Sequence, residues 1–246
     1  HGITVNFDKT KALNNGIGRR AGRRDLKVEA QVVEVVEEFE FYLGRRLSLR
    51  SPHDVELESR MRKAQAAFHK FRAPLVCRGA SVVQRLRLFN SVVTPCALYG
   101  SSCWTMTKTR EAKLRATQRR MLRDIVRVPR RHEEEWPAYL RRWTRVAEAW
   151  RRTAAVPDWV EQQKKILWKW AGHVVRRNDF RWSSLVVHFW PEGARRPGRP
   201  FVTWESRLET FTASKFGAAV RWYNAAQDRA AWADSAEDFA NYDGNR

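Results

Sequence analysis

Alternating apolar and polar residues near the start of the chain are typical of half-buried β-strands. Residues 3–7 alternate in this way, valines are frequent over 27–36, and a second alternating run covers 39–43 and stops at Gly44. Valine and the aromatic residues in these segments also favour strands. The pattern therefore predicts a small β part at the beginning of the chain, with an antiparallel hairpin near Gly44.

From Ser51 onward the apolar residues follow the helical period instead. Ser51 suits the N-cap of a helix, and Pro52 suits the first helical position. The apolar residues that recur at steps of three and four share one helix face and are Leu57, Met61, Ala64, Phe68, Phe71 and Leu75. Further helices are predicted over 81–93, before a break at Pro95, and over 107–126, 138–152, 158–175 and 203–233. The predicted fold class is mainly α with a small N-terminal β part.

The composition predicts a folded chain that binds a polyanion. Of the 246 residues, 47 are Lys or Arg and 27 are Asp or Glu, which gives a formal charge of +20, and 43% are hydrophobic. That apolar fraction is enough for a core and excludes a disordered basic tail. No apolar run is long enough to span a membrane. Three cysteines are too few for a disulfide scaffold and indicate a reducing compartment.

Nucleic acid is the first candidate for the polyanion, and an anionic membrane surface is the second. Arginine supplies most of the positive charge and can bind phosphate through two hydrogen bonds. A GC-rich genome would enrich arginine as well, without any binding role. However, residues 108–152 carry fifteen basic and six acidic side chains, whereas 224–246 carry two and five. A genome-wide bias would not stop near the end of the chain, so nucleic acid is favoured.

Two groups of arginines are candidate phosphate contacts. The first recurs at four-residue steps along the helix predicted over 107–126 and consists of Arg115, Arg119, Arg123 and Arg127. This spacing forms a stripe, expected opposite the apolar face, that spans about 18 Å and could meet two or three phosphates. The second group lies in a loop rich in Pro and Gly and consists of Arg195, Arg196 and Arg199. Either group could instead be a solvated surface without a ligand.

Tryptophan is frequent, with twelve residues, eleven of them beyond residue 130. Seven-residue spacing places Trp136, Trp143 and Trp150 on one helix face. Such rings can stack on unpaired bases, but a place in the core is the commoner role and is our expectation. We expect His173 to be a hydrogen-bonded structural residue, because no second His or Cys lies at metal-ligand spacing. No metal site and no complete catalytic constellation is predicted.

Several stretches together resemble, in the expected order, the reverse transcriptases of non-LTR (LINE-type) retrotransposons. They are residues 1–11 (HGITVNFDKTK), 41–44 (FYLG), 91–95 (SVVTP) with Tyr99 and Gly100, then Trp104, 118–123 (QRRMLR), 170–176 (WAGHVVR), 196–200 (RPGRP) with Trp204, and 226–229 (AQDR) with Trp232. Each stretch is a weak signal by itself, but the ordered series covers nearly the whole chain. The Arg-rich residues 16–24 are not part of the family pattern, and the hairpin is one residue shorter than in the family.

The resemblance implies that the chain is the C-terminal part of an RNA-directed DNA polymerase. Residues 1–50 would then be the end of the palm, with the strand that follows the catalytic turn and the primer-grip hairpin. Residues 51–130 would be a thumb-like helical bundle, and 131–246 a Trp- and Arg-rich C-terminal region. The catalytic carboxylates, which hold Mg²⁺ in the full-length enzyme, would lie upstream, so this chain would bind no cofactor and would be inactive alone.

The same resemblance implies roles for individual residues and partners. Lys9 would be a general acid toward the leaving pyrophosphate. The residues that would position the primer end are Phe41, Tyr42, Leu43 and Gly44. The partners would be the RNA template, the DNA primer or target, and the upstream fingers, palm and endonuclease parts of the same polyprotein, with no membrane. The location would be intracellular, nuclear and cytoplasmic.

Two other interpretations stay open at this point. The chain could be a stand-alone basic nucleic-acid-binding helical module without an attached polymerase. It could also be a non-functional remnant of an element. An in-frame Tyr/Phe-Ala-Asp-Asp turn in the upstream DNA would select the polymerase, and a thermal melt would separate the other two.

Overall fold

The structure is a computed structural model that describes residues 6–13, 25–28, 31–36, 38–49, 51–177 and 202–243. A small group of strands comes first and helices follow, which confirms the predicted fold class. The chain forms two compact units, residues 1–62 and residues 63–246. Each unit is described by itself below.

The first unit begins with a turn and a three-stranded sheet. The strands are β1 (Lys11–Leu13), β2 (Asp25–Val28) and β3 (Gln31–Val36). Their order is β1-β3-β2, with β1 parallel and β2 antiparallel to the central β3. Residues 3–5 of the predicted first strand lie outside the described residues, and Phe7 lies in the turn that precedes β1.

A separate hairpin follows, as the sequence pattern predicts. It consists of β4 (Glu38–Tyr42) and β5 (Arg45–Ser48), which pair antiparallel. The two turn residues, Leu43 and Gly44, have φ values of 51° and 76°. Positive φ at both central residues is the geometry of the tight hairpin turn whose twist matches the strands. Gly44 adopts it without steric cost, whereas Leu43 does so under strain.

A buried carboxylate ties the hairpin to the start of α1 (Pro52–Lys70) within the first unit. Glu56 is fully buried. It accepts hydrogen bonds from Arg60 Nε at 2.7 Å and from the Arg46 backbone N–H at 2.8 Å. Arg60 also donates to the Gly44 carbonyl. A buried charge is stable only when it is paired in this way.

Helices make up the described part of the second unit, together with a 3₁₀ turn at Ser101–Cys103. The ranges are α2 (Arg72–Val76), α3 (Val82–Val92), α4 (Thr94–Leu98), α5 (Lys108–Val126), α6 (Trp136–Thr153), α7 (Trp159–Val175), α8 (Ser206–Phe216), α9 (Trp222–Ala225), α10 (Arg229–Asp234) and α11 (Ala236–Asn241). The predicted helices over 81–93, 107–126, 138–152 and 158–175 are confirmed. The segment predicted over 203–233 contains three helices instead of one.

Capping side chains explain where three of these helices begin. Ser81 accepts from the Gln84 N–H, and Gln84 Oε1 in turn accepts from the Ser81 N–H, which forms a capping box before α3. Thr107 caps α5 by accepting from the Arg110 N–H, and Asp158 caps α7. Pro95 lies in the first turn of α4, so it begins a new helix after the predicted break.

Gln118 and Trp159 join the core of α5 to the start of α7. The Gln118 amide donates to the Pro157 carbonyl at 2.9 Å and accepts from the Trp159 backbone N–H at 2.9 Å. The Trp159 indole stacks on Phe89 at 5.8 Å and donates to Thr94 Oγ1. All polar atoms at this junction are therefore paired, as a buried position requires.

The tryptophan expectation is confirmed in part. The tryptophans buried in the core are Trp104, Trp159, Trp168, Trp222 and Trp232. The predicted core role of the seven-residue series is wrong for Trp136 and Trp150, which are 56% and 37% exposed. Of the residues of α6, only Tyr139 and Ala147 are buried. The neighbouring helices therefore cover only part of its apolar face, and some of its tryptophans stay exposed.

Candidate nucleic-acid interface

The predicted arginine stripe of α5 makes ion pairs within the second unit. Arg115 Nε lies 3.5 Å from Asp158 Oδ1, and Arg115 Nη1 lies 3.8 Å from Glu111 Oε2. Arg119 Nε donates to Glu148 Oε1 of α6 at 3.0 Å. These two guanidinium groups therefore contribute to helix packing, and their charges are largely balanced by acids of the same chain.

Arg123 and Arg127 have different surroundings. Arg123 donates to Thr144 Oγ1 at 3.1 Å and lies over the Trp143 ring at 6.0 Å. Burial, followed by the charges of Arg120 and Arg119, lowers the pKa of Arg123. Arg127 ends α5 with a φ of 45° and is exposed to solvent. Of the four predicted arginines, Arg127 is the one whose side chain makes no hydrogen bond or ion pair with another described residue.

Glu148 of α6 is the acid that holds this packing together. Its carboxylate accepts from Arg119 and, at 2.7 Å, from Arg151 Nε. Burial raises the pKa of Glu148, but the hydrogen bonds and charges of Arg151 and Arg119 outweigh it, so the pKa lies below its usual value. Of its two partners, Arg119 is one of the arginines that the sequence offers for nucleic acid, and its charge is shared with this carboxylate.

A second acid fixes the connection between α5 and α6. Arg142 donates to both oxygens of Glu134, at 2.8 and 2.7 Å, in a bidentate pair. These hydrogen bonds from Arg142 are the largest cause of the low pKa of Glu134, which falls to about 2. The Tyr139 hydroxyl donates to the Val128 carbonyl nearby. Together these bonds hold the segment that reverses the chain before α6.

The outward surface of α6 carries arginines that the sequence analysis did not select. Arg141, Arg145 and Arg152 are exposed. Their spacing of four and seven residues places them on one side of the helix, away from the buried Tyr139 and Ala147. The sequence could have predicted their exposure, because the three arginines do not fall on the apolar face that the helical period of α6 defines.

These residues and the exposed arginines of α5 form one set, here called the α5–α6 arginine face. Its members are Arg120, Arg127, Arg141, Arg145 and Arg152. Arg145 and Arg152 lie three and four residues from Glu148, which pairs with Arg119 of α5, so these two α6 arginines lie close to the contact between the helices. In the described part of the chain, none of the five side chains makes an ion pair or a hydrogen bond.

The first unit contains the remaining candidates. Lys9 is exposed in the turn before β1, where its backbone N–H donates to Asn6. Phe41 belongs to β4, and Tyr42, Leu43 and Gly44 are exposed at the hairpin tip. Strand β1, which follows Lys9, pairs with β3, so this strand and the hairpin belong to different sheets.

The remaining predictions concern the arginines of the loop rich in Pro and Gly and the histidine of α7. Arg195, Arg196 and Arg199 lie outside the described residues. His173 is exposed on α7 and makes no hydrogen bond within the described ranges. The expectation of a structural histidine was wrong because this position lies on the exposed side of α7, where its ring has no partner among the described residues.

The described residues do not fit a metal site, because no three of their His, Cys, Asp or Glu side chains come together. No step of a metal-dependent reaction is therefore assigned to them. Among the same residues, no helix combines the length and the apolar character needed to cross a lipid bilayer.

Comparison with known proteins gives an origin for the chain. It is 29% identical over 239 residues to an uncharacterized transposon-derived protein of Caenorhabditis elegans, a match that covers 94% of this chain and 81% of that protein. This similarity indicates a transposable-element origin. No family model matches the sequence. No solved structure matches it either.

Proposed function

We propose that this chain is a nucleic-acid-binding C-terminal part of a non-LTR retrotransposon reverse transcriptase. Its task is to hold the RNA template and the DNA primer as a duplex while polymerisation takes place elsewhere in the enzyme. The ordered series of family-like stretches and the transposon-derived relative support this proposal. The formal charge of +20 supports a polyanionic partner.

The observation that carries the proposal is the α5–α6 arginine face. Its five guanidinium groups are exposed and have no acidic partner in the described residues. Arginine binds phosphate through a planar fork, and such contacts give affinity and register without sequence choice. A polymerase that copies any template needs this type of binding. Arg119 and Arg123 support this surface by fixing α6 on α5, and Arg115 fixes α5 to the start of α7.

The other roles are part of the same proposal and follow from the resemblance. Lys9 acts as a general acid once the upstream palm is present, and the hairpin tip with Tyr42 and Gly44 positions the primer end. Mg²⁺ is held by carboxylates of the upstream part. The chain works with the fingers, palm and endonuclease of its polyprotein, in the cytoplasm and the nucleus, and does not extend a primer alone.

The test is the salt dependence of duplex binding by the full chain. Fluorescence anisotropy with a labelled RNA–DNA duplex is measured for the wild type and for the triple variant R141Q/R145Q/R152Q. Each lost phosphate contact lowers the log–log slope by roughly 0.9, so the triple variant should lose about 2.7. The matched control is R62Q/R78Q/R87Q, which removes three exposed arginines outside the face.

Equal slopes for the two triple variants would overturn the assignment of the face. Absence of duplex binding by the wild type at low salt would overturn the nucleic-acid proposal as a whole. A cooperative thermal melt of the same sample separates a folded binding module from an element remnant that no longer folds. A catalytic turn in frame upstream separates the polymerase from a stand-alone module.

A further inference from the structure

A cleft of about 820 Å³ lies between α7 and the helices α10 and α11. Helix α7 contributes most of one wall, including Lys165, Lys169 and Trp170. Arg229 and Ala236 contribute to the opposite wall. All of these residues belong to the second unit. The volume is in the range of clefts that hold small ligands, and it is separate from the α5–α6 arginine face.

The described lining of the cleft is strongly basic and contains no Asp or Glu. Its cationic or potentially cationic residues are Lys165, Lys169, His173, Arg176 and Arg229. Lys165 is paired with Glu237 at 2.5 Å. Lys169, His173 and Arg229 are exposed and make no hydrogen bond or ion pair with other described residues. These three hydrogen-bond donors therefore line one cleft, and none of them is paired with a described acidic side chain.

Arg176 is held at the inner end of this group. Its Nη1 atom donates to the Ala226 carbonyl at 2.6 Å, which fixes the direction of the guanidinium. Burial, followed by the charge of Arg229, lowers the pKa of Arg176. Arg229 is thus close enough for the two cations to repel each other, and an anion placed between them would relieve that repulsion.

Aromatic residues form the apolar part of the lining. Trp170 is half-buried and packs edge-on against Trp204 at 5.4 Å, so its orientation is fixed by a neighbour. Trp168 and Trp232 contribute to the lining but are buried in the core behind it. A fixed aromatic ring beside unpaired cations is the combination that binds unpaired bases and their phosphates.

We propose that this cleft is a second nucleic-acid site that binds a short single-stranded segment. Lys169, His173 and Arg229 contact its phosphates, and Trp170 packs against a base. A cleft of this volume is too small for a double helix. It holds a few nucleotides, which distinguishes its ligand from the duplex assigned to the α5–α6 arginine face.

The proposal is tested with the full chain and a labelled oligouridylate of about twelve nucleotides, within the length range that single-strand sites cover. The variant is K169Q/R229Q, which removes two exposed cations without touching the core. The control is R78Q/R87Q, which removes two exposed arginines outside the cleft. We expect K169Q/R229Q to weaken single-strand binding about tenfold and to lower the salt slope by about 1.4, at roughly 0.7 per contact. The control should change the affinity less than about twofold.

Two further measurements keep the result unambiguous. The RNA–DNA duplex is titrated against the same variants and should bind K169Q/R229Q and R78Q/R87Q equally well. A 4-thiouridine oligonucleotide, cross-linked to the wild-type chain and mapped by mass spectrometry, should label peptides that contain residues 165–176 or 229–236. Labelling elsewhere, or equal single-strand affinities for the two variants, would overturn the cleft assignment and leave the duplex proposal unaffected. Displacement of the oligonucleotide by a mononucleotide at equal concentration would also overturn it, in favour of a nucleotide pocket.

Discussion

Trp168 and Trp232 each donate their indole N–H to the backbone carbonyl of the other, at 2.6 and 3.0 Å. The two rings are stacked with centroids 3.5 Å apart and planes within 5°. Both side chains are almost fully buried. This reciprocal pair connects α7 to α10, 64 residues away along the chain, and satisfies two buried indole donors without water.

Removal of one indole N–H should destabilise the second unit. Trp232→Phe keeps a stacked aromatic ring but removes the hydrogen bond from the Trp232 indole to the Trp168 carbonyl and reduces the buried ring area, and we expect a loss of about 1–3 kcal/mol in the free energy of unfolding. Urea unfolding followed by circular dichroism measures this. The control is Trp150→Phe at a partly exposed position, which should cost less than about 1 kcal/mol. Equal effects of the two substitutions would show that the reciprocal bonds are unimportant.

Gly172 is a position where any side chain should be destabilising. A Cβ atom there would lie 2.4 Å from Trp232 Nε1 and 2.8 Å from Arg176 Nη1. Alanine favours a helix by about 1 kcal/mol over glycine, but displacement of the stacked indole should cost about 1–3 kcal/mol, so we expect a net loss of up to about 2 kcal/mol. Thermal unfolding of Gly172→Ala should therefore show a lower Tm.

Gly79 provides the comparison for Gly172. Its added Cβ would meet only Cys77 Sγ, at the ordinary contact distance of 3.7 Å. Gly79→Ala should leave the Tm unchanged or raise it slightly, because alanine restricts the unfolded chain. If both alanine variants melted like the wild type, the close approach of α7 to Trp232 would be contradicted.

The hairpin turn should be improved by a residue that tolerates positive φ. Leu43 has a φ of 51° and is 74% exposed. Leu43→Asn should stabilise the hairpin by about 1 kcal/mol, since asparagine visits this conformation more readily. Slower amide hydrogen exchange in β4 and β5 measures the gain. Leu49→Asn, at another exposed leucine without positive φ, should not slow the exchange.

The Glu134–Arg142 pair should make stability depend on acid pH. The folded-state pKa of Glu134 is lowered from 4.5 to about 2 by hydrogen bonds from Arg142. The contribution of a lowered carboxylate pKa is complete above the unfolded value and is lost as pH falls toward the folded value. Glu134→Gln should therefore lower the Tm at neutral pH, and its difference from the wild type should shrink between pH 4.5 and 2.

The adjacent acid is a suitable control for that experiment. Glu133 is 87% exposed and lies 3.8 Å from His132, a weak contact. Glu133→Gln should change neither the Tm at neutral pH nor the shape of the pH profile. A pH profile of Glu134→Gln that ran parallel to the wild type would contradict the lowered pKa.

Local sequence patterns predicted most of the fold, but they did not predict which arginines of α5 pair with acids of other helices. Apolar periodicity located the helices, because this signal depends only on near neighbours, and the structure adds the caps Ser81 and Asp158. The orientation of α6 depends on the chain reversal fixed by Glu134 and Arg142, which no spacing along α5 reveals. The sequence therefore showed the arginine stripe but did not show that Glu148 would neutralise Arg119.

The candidate cleft was not predicted from the sequence for the same reason: its walls come from segments that lie far apart along the chain. The stretch 170–176 is distinctive in the sequence, and His173 is interpreted there as structural because no second His or Cys lies at metal-ligand spacing. Arg229 comes from a helix that lies more than fifty residues later. The packing of Trp168 on Trp232 brings the two segments to one cavity. Such a site is determined by contacts between distant segments, which local periodicity does not encode.

Lys164 connects the last described residues to the middle of α7. Its ammonium group is buried and donates to the carbonyls of Ala240 and Tyr242, at 3.0 and 2.9 Å. A stop codon just before Ala240 would leave this cation in the interior without acceptors, a change that typically costs several kcal/mol. Element copies with such a truncation should therefore yield much less folded protein than copies that keep these residues.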